Sequence, residues 1–156
     1  GLVRISYRIL GSGNPAPWLA LAQHEGVDDW VHFDGSRAAG APVLEWLDSI
    51  DLHCQPSFQE GLPRATIEAM CRGCACIGST AGGIPELLPA MRLHTPGDAS
   101  QLAALLDGLI HRPAALAAAA QADRAKSRDY RSEAIDARRS DLFARFARSI
   151  RAKTGA

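Results

Sequence analysis

IDLHCQPSFQEGLPRATIEAMCRGCACIGSTAGGIPELL, residues 50–88, reads as strand, loop, helix, strand, loop and the start of a further helix. Ile50 to Cys54 is a short strand that runs into the loop Pro56 to Gly61. Leu62 to Arg72 is then a helix with clear bounds. Pro63 takes a first-turn position, where its missing N–H costs nothing, and Gly73 lies beyond the last turn. Cys74 to Gly78 is small and apolar throughout, as strands buried on both faces of a parallel sheet tend to be. The loop Ser79 to Gly83 leads into Ile84 to Leu88. Strands that alternate with helices of about ten residues imply right-handed βαβ units and a parallel sheet, because parallel neighbours need a long crossover.

The same alternation extends in both directions. Upstream, Val3 to Leu10 is a strand entering the glycine turn Gly11-Ser12-Gly13-Asn14. A helix around Pro15 and Pro17 follows, with Trp18, Leu19, Leu21 and Ala22 as its apolar stripe, and ends near Gly26. Trp30 to Phe33 is a second strand closed by Asp34-Gly35, and Pro42 to Ser49 a second helix that buries Val43, Leu44, Trp46 and Leu47. Downstream, Asp98 and Gln101 have capping-box spacing for a helix over Ala99 to Ile110. Residues 111–156 read as two helices broken near Tyr130-Arg131-Ser132, with Ile135, Leu142, Phe143, Phe146 and Ile150 as the buried stripe of the last. No internal repeat is visible. The expected fold class is α/β: a Rossmann-like parallel sheet with helices on both faces and C-terminal helices packing back across it.

Composition agrees and excludes alternatives. The 156 residues, 47% hydrophobic and 22% charged, suit one globular domain, and no run approaches the twenty apolar residues of a membrane span. Four cysteines are too few for a disulfide scaffold, so a reducing compartment, the cytoplasm, fits. Gly1 stands where Met would start a chain, and no secretion signal is visible, so a fragment is expected. The zero net charge hides an asymmetry: residues 1–110 hold 6 basic and 12 acidic side chains, residues 111–156 hold 11 and 5. A basic helical tail of this kind is more often a solvated or intramolecularly matched face than a lipid or nucleic-acid site. As aromatics it has only Tyr130, Phe143 and Phe146, so stacking platforms for nucleic acid are missing.

Two carboxylates carry the chemistry. Glu60 lies in the loop after a strand, and Glu68 roughly 7.5 Å along the following helix. Between them, the amides of Gly61 and Leu62 at the helix start favour an anion. Carboxylates accept well from vicinal hydroxyls, so the pair suits a diphosphate bearing a hydroxylated ring at each end. From spacing alone this is a weak signal, and a solvent-facing helix glutamate plus a loop glutamate explains it as well.

Residues 56–74, PSFQEGLPRATIEAMCRGC, together with Gly82-Gly83-Ile84-Pro85-Glu86, resemble the donor-binding C-terminal domain of family-4 retaining glycosyltransferases of the GT-B fold. The resemblance extends to Ile9 to Gly13, to Val31 to Gly35 and loosely to Asp98 onward, and so covers most of the chain. It implies that Glu60 is the catalytic-site residue, touching hydroxyls of the transferred hexose beside the amides of Gly61 and Leu62. Glu68 would hold the ribose of a nucleoside-diphosphate sugar, while Val31, His32 and Phe33 border the base and Gly11 and Gly13 let the backbone pass close to the nucleotide. It also implies no cofactor and no metal, with helix dipoles and basic side chains stabilising the leaving diphosphate. Retention of anomeric configuration would follow from a front-face attack in which the leaving phosphate helps to deprotonate the acceptor. The family's strand and Arg/Lys loop before Val3, and its acceptor-binding N-terminal domain, have no counterpart in this sequence. The expectation is a single donor-binding domain over residues 1–156, truncated on its N-terminal side, with residues 111–156 as its helical tail. It would bind a saccharide or lipid acceptor only through the missing domain, with peripheral contact at the inner membrane face where the acceptor is a lipid. A module that binds a nucleotide sugar without transfer, or a partner subunit, is the alternative.

Other candidates yield to simpler readings. Cys71, Cys74 and Cys76 lack a fourth metal ligand at zinc spacing and read as packing. Gly11-Ser12-Gly13 lacks the third glycine of a dinucleotide fingerprint. His53 reads as a neutral core or supporting histidine, Glu86 as a helix-start carboxylate, and Arg64 as a solvated surface residue rather than a phosphate ligand.

Overall fold

The computed structural model describes residues 4–154, and the side chains up to residue 150. The chain divides into two compact units, one ending at Ser49 and the other beginning at Ile50.

In the first unit, β1 (Tyr7–Ile9) pairs in parallel with β2 (Val31–Phe33), with Arg8 opposite His32 and Ile9 opposite Phe33. The expected strand is thus shorter, and Val3 lies outside the described residues. The crossover is α1 (Ala16–His24), and α2 (Ala41–Leu47) follows β2. The expected apolar stripe of α1 is not buried: Trp18, Leu19 and Leu21 are exposed and only Ala22 is enclosed. Leu47 of α2 is buried, and a polar cluster ties β1 to the loop after β2 and to α2. The Arg8 guanidinium and the Trp46 indole N–H both donate to Asp34 Oδ2, at 2.8 and 2.6 Å, and Arg8 lies 5.4 Å from the Trp46 ring centre. The Trp46 hydrogen bond, aided by Arg8 and opposed by partial burial, holds the Asp34 carboxyl below the usual carboxylate range.

The second unit carries the parallel ladder β3 (Leu52–Gln55), β4 (Ala75–Ser79), β5 (Leu93–His94), with β4 in the middle. All of β4 is buried, as its small apolar sequence implies. Helix α3 (Arg64–Arg72) connects β3 to β4 and ends on Gly73, whose φ of 87° is the left-handed conformation that stops a helix cheaply. Its start differs from expectation. Pro63 is the extended cap residue (ψ 111°), not a first-turn residue, so the helix begins two residues after Leu62. Beyond β4 come α4 (Ile84–Leu87), α5 (Ala99–Ile110), α6 (Pro113–Ser127) and α7 (Ser132–Thr154). The Asp98 carboxylate accepts from the Gln101 amide at 2.9 Å, while the Gln101 side chain reaches back to the Thr95 amide at 3.0 Å. The core is Met70, Ile77, Ile84, Leu87 and Leu88 around Ala69, Cys74, Ala75 and Cys76.

Helix α6 lies against α3 and β4. Its Asp123, fully buried, accepts from the Cys76 amide at 2.8 Å and from both guanidinium nitrogens of Arg92, one at 2.6 Å, while Arg92 also donates to the Cys76 carbonyl at 3.1 Å. A two-pronged pair of this kind satisfies the charges that burial would otherwise leave at high cost. In α7 the expectation fails. Leu142, Phe143, Phe146 and Ile150 are exposed rather than buried, because a helical spacing selects a face but only a packed neighbour buries it.

Candidate functional site

The loop from β3 to α3 is held by atoms close to its ends. Gln55, the last residue of β3, donates from Nε2 to Glu60 Oε1 at 2.8 Å and to Ser57 Oγ at 2.9 Å; Ser57 Oγ donates to the same Glu60 oxygen at 2.9 Å. Ser79, the last residue of β4, donates from its hydroxyl to the Ser57 carbonyl at 2.5 Å. Two strand ends therefore set the position of the Glu60 carboxylate, which is half-buried.

The loop after β4 clasps the same segment from the other side. The Gly83 amide donates to the Gly61 carbonyl at 2.7 Å. A Cβ at Gly82 would stand 1.8 Å from the Glu60 carbonyl oxygen, and one at Gly83 2.7 Å from that of Gly61. Gly82 also has φ +52°, so both sterics and backbone conformation demand glycine there. The Gly-Gly pair is thus a backbone-to-backbone seat for the glutamate loop.

Glu68 sits on α3 about 6 Å along the axis from the helix start. Its carboxylate is about one-third exposed and lies 3.5 Å from the guanidinium of Arg64, one turn earlier, which is itself 87% exposed. Gly61 and Leu62 precede the helix instead of opening it, a consequence of the extended Pro63. Behind the loop, His53 Nε2 lies 3.3 Å from Thr66 Oγ1, and burial, opposed by a contact with Gln55, holds its imidazole below the usual range and so uncharged at neutral pH.

The structure therefore brings Glu60, Gly61, Leu62 and Glu68 onto one strand–loop–helix passage of the second unit. Gly11, Gly13, His32 and Phe33 belong to the first unit, where the glycine turn leaves β1 beside the end of β2: the Gly11 amide donates to the Gly35 carbonyl at 2.8 Å, and Asp34 N to Ile9 O at 2.9 Å. Gly13 has φ 138°, His32 is exposed and Phe33 half-buried. Gln55, Ser57 and Ser79 were not singled out from the sequence. Their only signal there is a polar residue closing an apolar strand two and five positions before Ser57 and Glu60.

Among the described residues no group of three or more His, Cys, Asp or Glu side chains is placed to hold a metal ion. Cys71 is exposed while Cys74 and Cys76 are buried, and burial pushes the Cys54 thiol up to about 11 and the Cys76 thiol higher still, which leaves both unreactive. No single helix among these residues is long and apolar enough to cross a membrane.

An α/β unit with parallel strands, a carboxylate loop at the ends of β3 and β4 and a glycine clasp beneath it is the C-terminal half of a GT-B glycosyltransferase fold, and solved glycosyltransferases share it. The chain belongs to the family described as glycosyl transferases group 1, which it matches over residues 2–112. The fold is similar to that of Anabaena Alr3699/HepE in complex with UDP (TM-score 0.78, 22% identity, 90% of this chain and 41% of that one). It is similar too to the C-terminal domain of the group 1 glycosyl transferase LpcC of Francisella tularensis (TM-score 0.68, 26% identity, 75% and 62%). The MMP alpha-(1->4)-mannosyltransferase of Mycolicibacterium hassiacum is 33% identical over 101 residues, 62% of this chain and 24% of that protein. The chain spans about a quarter of the length of the curated relatives it matches.

Proposed function

We propose that this chain is the donor-binding half of a retaining glycosyltransferase of the family-4 kind, which transfers a hexose from a nucleoside-diphosphate sugar to a saccharide or lipid acceptor. The observation that carries it is the Glu60 carboxylate, fixed by Gln55 and Ser57 in a loop that Gly82 and Gly83 seat from below, with Glu68 one short helix segment away. That HepE was solved with UDP and with UDP-glucose supports a nucleotide sugar as the ligand. In this reading Glu60 accepts from hydroxyls of the transferred sugar and stabilises charge at the reacting centre, and Glu68 accepts from the ribose. Gly61 and Leu62 line the diphosphate, Gly11 and Gly13 the nucleotide, and His32 and Phe33 the base. Transfer proceeds with retention and without metal or cofactor. A separate N-terminal domain supplies the acceptor side, in the cytoplasm and, for a lipid acceptor, at the inner membrane face.

Calorimetric titration of the chain with UDP, GDP and ADP, and with their glucose or mannose conjugates, tests the reading. Saturable binding of one base is expected, weakened about 10- to 100-fold in Glu68→Ala with folding intact, as for loss of charged hydrogen bonds. Unchanged affinity in Glu68→Ala removes the ribose assignment, and no binding to any of them removes the donor-site reading for this chain.

A further inference from the structure

We propose that Gln55 is a positioning residue for sugar recognition: with the Ser57 hydroxyl it commits one oxygen of Glu60 to the protein and thereby aims the other at a hydroxyl of the bound hexose. The proposal rests on the donor reading above and goes beyond it by naming what gives Glu60 its direction.

The geometry argues for it in three steps. First, both donors converge on the same atom, Glu60 Oε1, at 2.8 and 2.9 Å, so the carboxylate cannot swing without losing two hydrogen bonds together. Second, the amide orientation follows from chemistry: turned over, Gln55 would set its own oxygen against a carboxylate and could keep Ser57 only by taking the one hydroxyl proton that Ser57 gives Glu60. Third, both donors are anchored in the ladder. Gln55 stands opposite Gly78 in the pairing of β3 with β4, and the Ser57 carbonyl is tied to Ser79 at the end of β4. The neighbour of Gln55 on the same face of β3 is His53, which the Gln55 side chain also contacts. Leu52 and Cys54 supply the apolar groups of the other face, and an apolar residue at 55 would pair with β4 through its backbone equally well. What the amide nitrogen adds is a pair of donor contacts, both of them to the loop that carries Glu60.

The test is the gain in affinity that the sugar adds, measured as UDP against UDP-glucose and GDP against GDP-mannose by calorimetry on the chain. Gln55→Leu is expected to cut that gain about tenfold while leaving affinity for the free diphosphate and the melting temperature unchanged. Gln55→Glu adds a readout that a purely structural role would not move. Two carboxyls within hydrogen-bond distance share a proton, so the gain should be lost at about pH 7.5 and return towards about pH 5.5, where the introduced carboxyl donates as the amide did. The wild-type gain should not follow that pH course. A gain that disappears in Glu60→Ala but survives Gln55→Leu, or a Gln55→Glu variant without recovery in acid, overturns the role of Gln55 alone. No sugar-dependent gain in the wild-type chain overturns the donor reading, and this proposal with it.

Discussion

Helices α6 and α7 follow one another in the chain, yet the helix that carries the large apolar side chains is the one left uncovered. Helix α6 is mostly alanine, and its two fully enclosed side chains are polar, Asp123 and Ser127. Helix α7 carries Leu142, Phe143 and Phe146, and all three are more than half exposed. The difference lies in what each helix meets. Alanines let α6 approach α3 and β4 closely, and the Asp123–Arg92 pair with the Cys76 backbone gives that approach a single register. In α7 the apolar stripe has the right period but little of this unit packed over it. Apolar spacing proposes a face, and close approach with satisfied polar groups decides whether it is used.

The comparison can be broken most forcefully at Asp123. Asp123→Ala leaves Arg92 buried and unpaired and should cost about 3–5 kcal/mol in urea unfolding, whereas the double change Asp123→Leu with Arg92→Met should cost much less than the single one. Equal losses would mean that α6 is held by packing alone. Gly82→Ala forces a methyl into the Glu60 carbonyl and strains a left-handed residue, for an expected loss of about 3 kcal/mol and of donor binding. A near-neutral variant would contradict the glycine clasp. At the other extreme, Leu142→Ser and Phe146→Ser should each change the stability of this chain by no more than about 0.5 kcal/mol, as exposed positions do. A loss of about 2 kcal/mol would show that α7 is packed after all.

The first unit offers a finer test through pH. The folded pKa of Asp34 lies below its unfolded value of 3.8, so its contribution is complete above that value and is lost as pH falls through the folded pKa. Acid unfolding followed at the Trp46 fluorescence in a Trp18→Phe, Trp30→Phe background should show this step, and Asp34→Asn should remove it.

How much of this was legible beforehand follows the same division. The buried strand Cys74 to Gly78, the stop at Gly73 and the cap at Asp98 could be read because each depends on a few neighbouring residues and on backbone conformation. The start of α3 was misplaced by two residues because proline serves both as a cap and as a first-turn residue. The burial of the α7 stripe was misjudged because period carries no information about a partner. Glu60 and Glu68 were visible through their motif. Their support was not, since the contacts of Gln55, Ser57 and Ser79 exist only once β3 and β4 are paired and the loop has turned back.

The central claim is that one short strand–loop–helix passage holds a sugar at one glutamate and a nucleotide at the other. Titrating a single nucleoside diphosphate with and without its sugar against Glu60→Ala and Glu68→Ala tests it most directly. The account predicts a split: Glu60→Ala loses the sugar-dependent gain and keeps nucleotide affinity, and Glu68→Ala loses nucleotide affinity itself. Identical losses in both variants, or none in either, would contradict it.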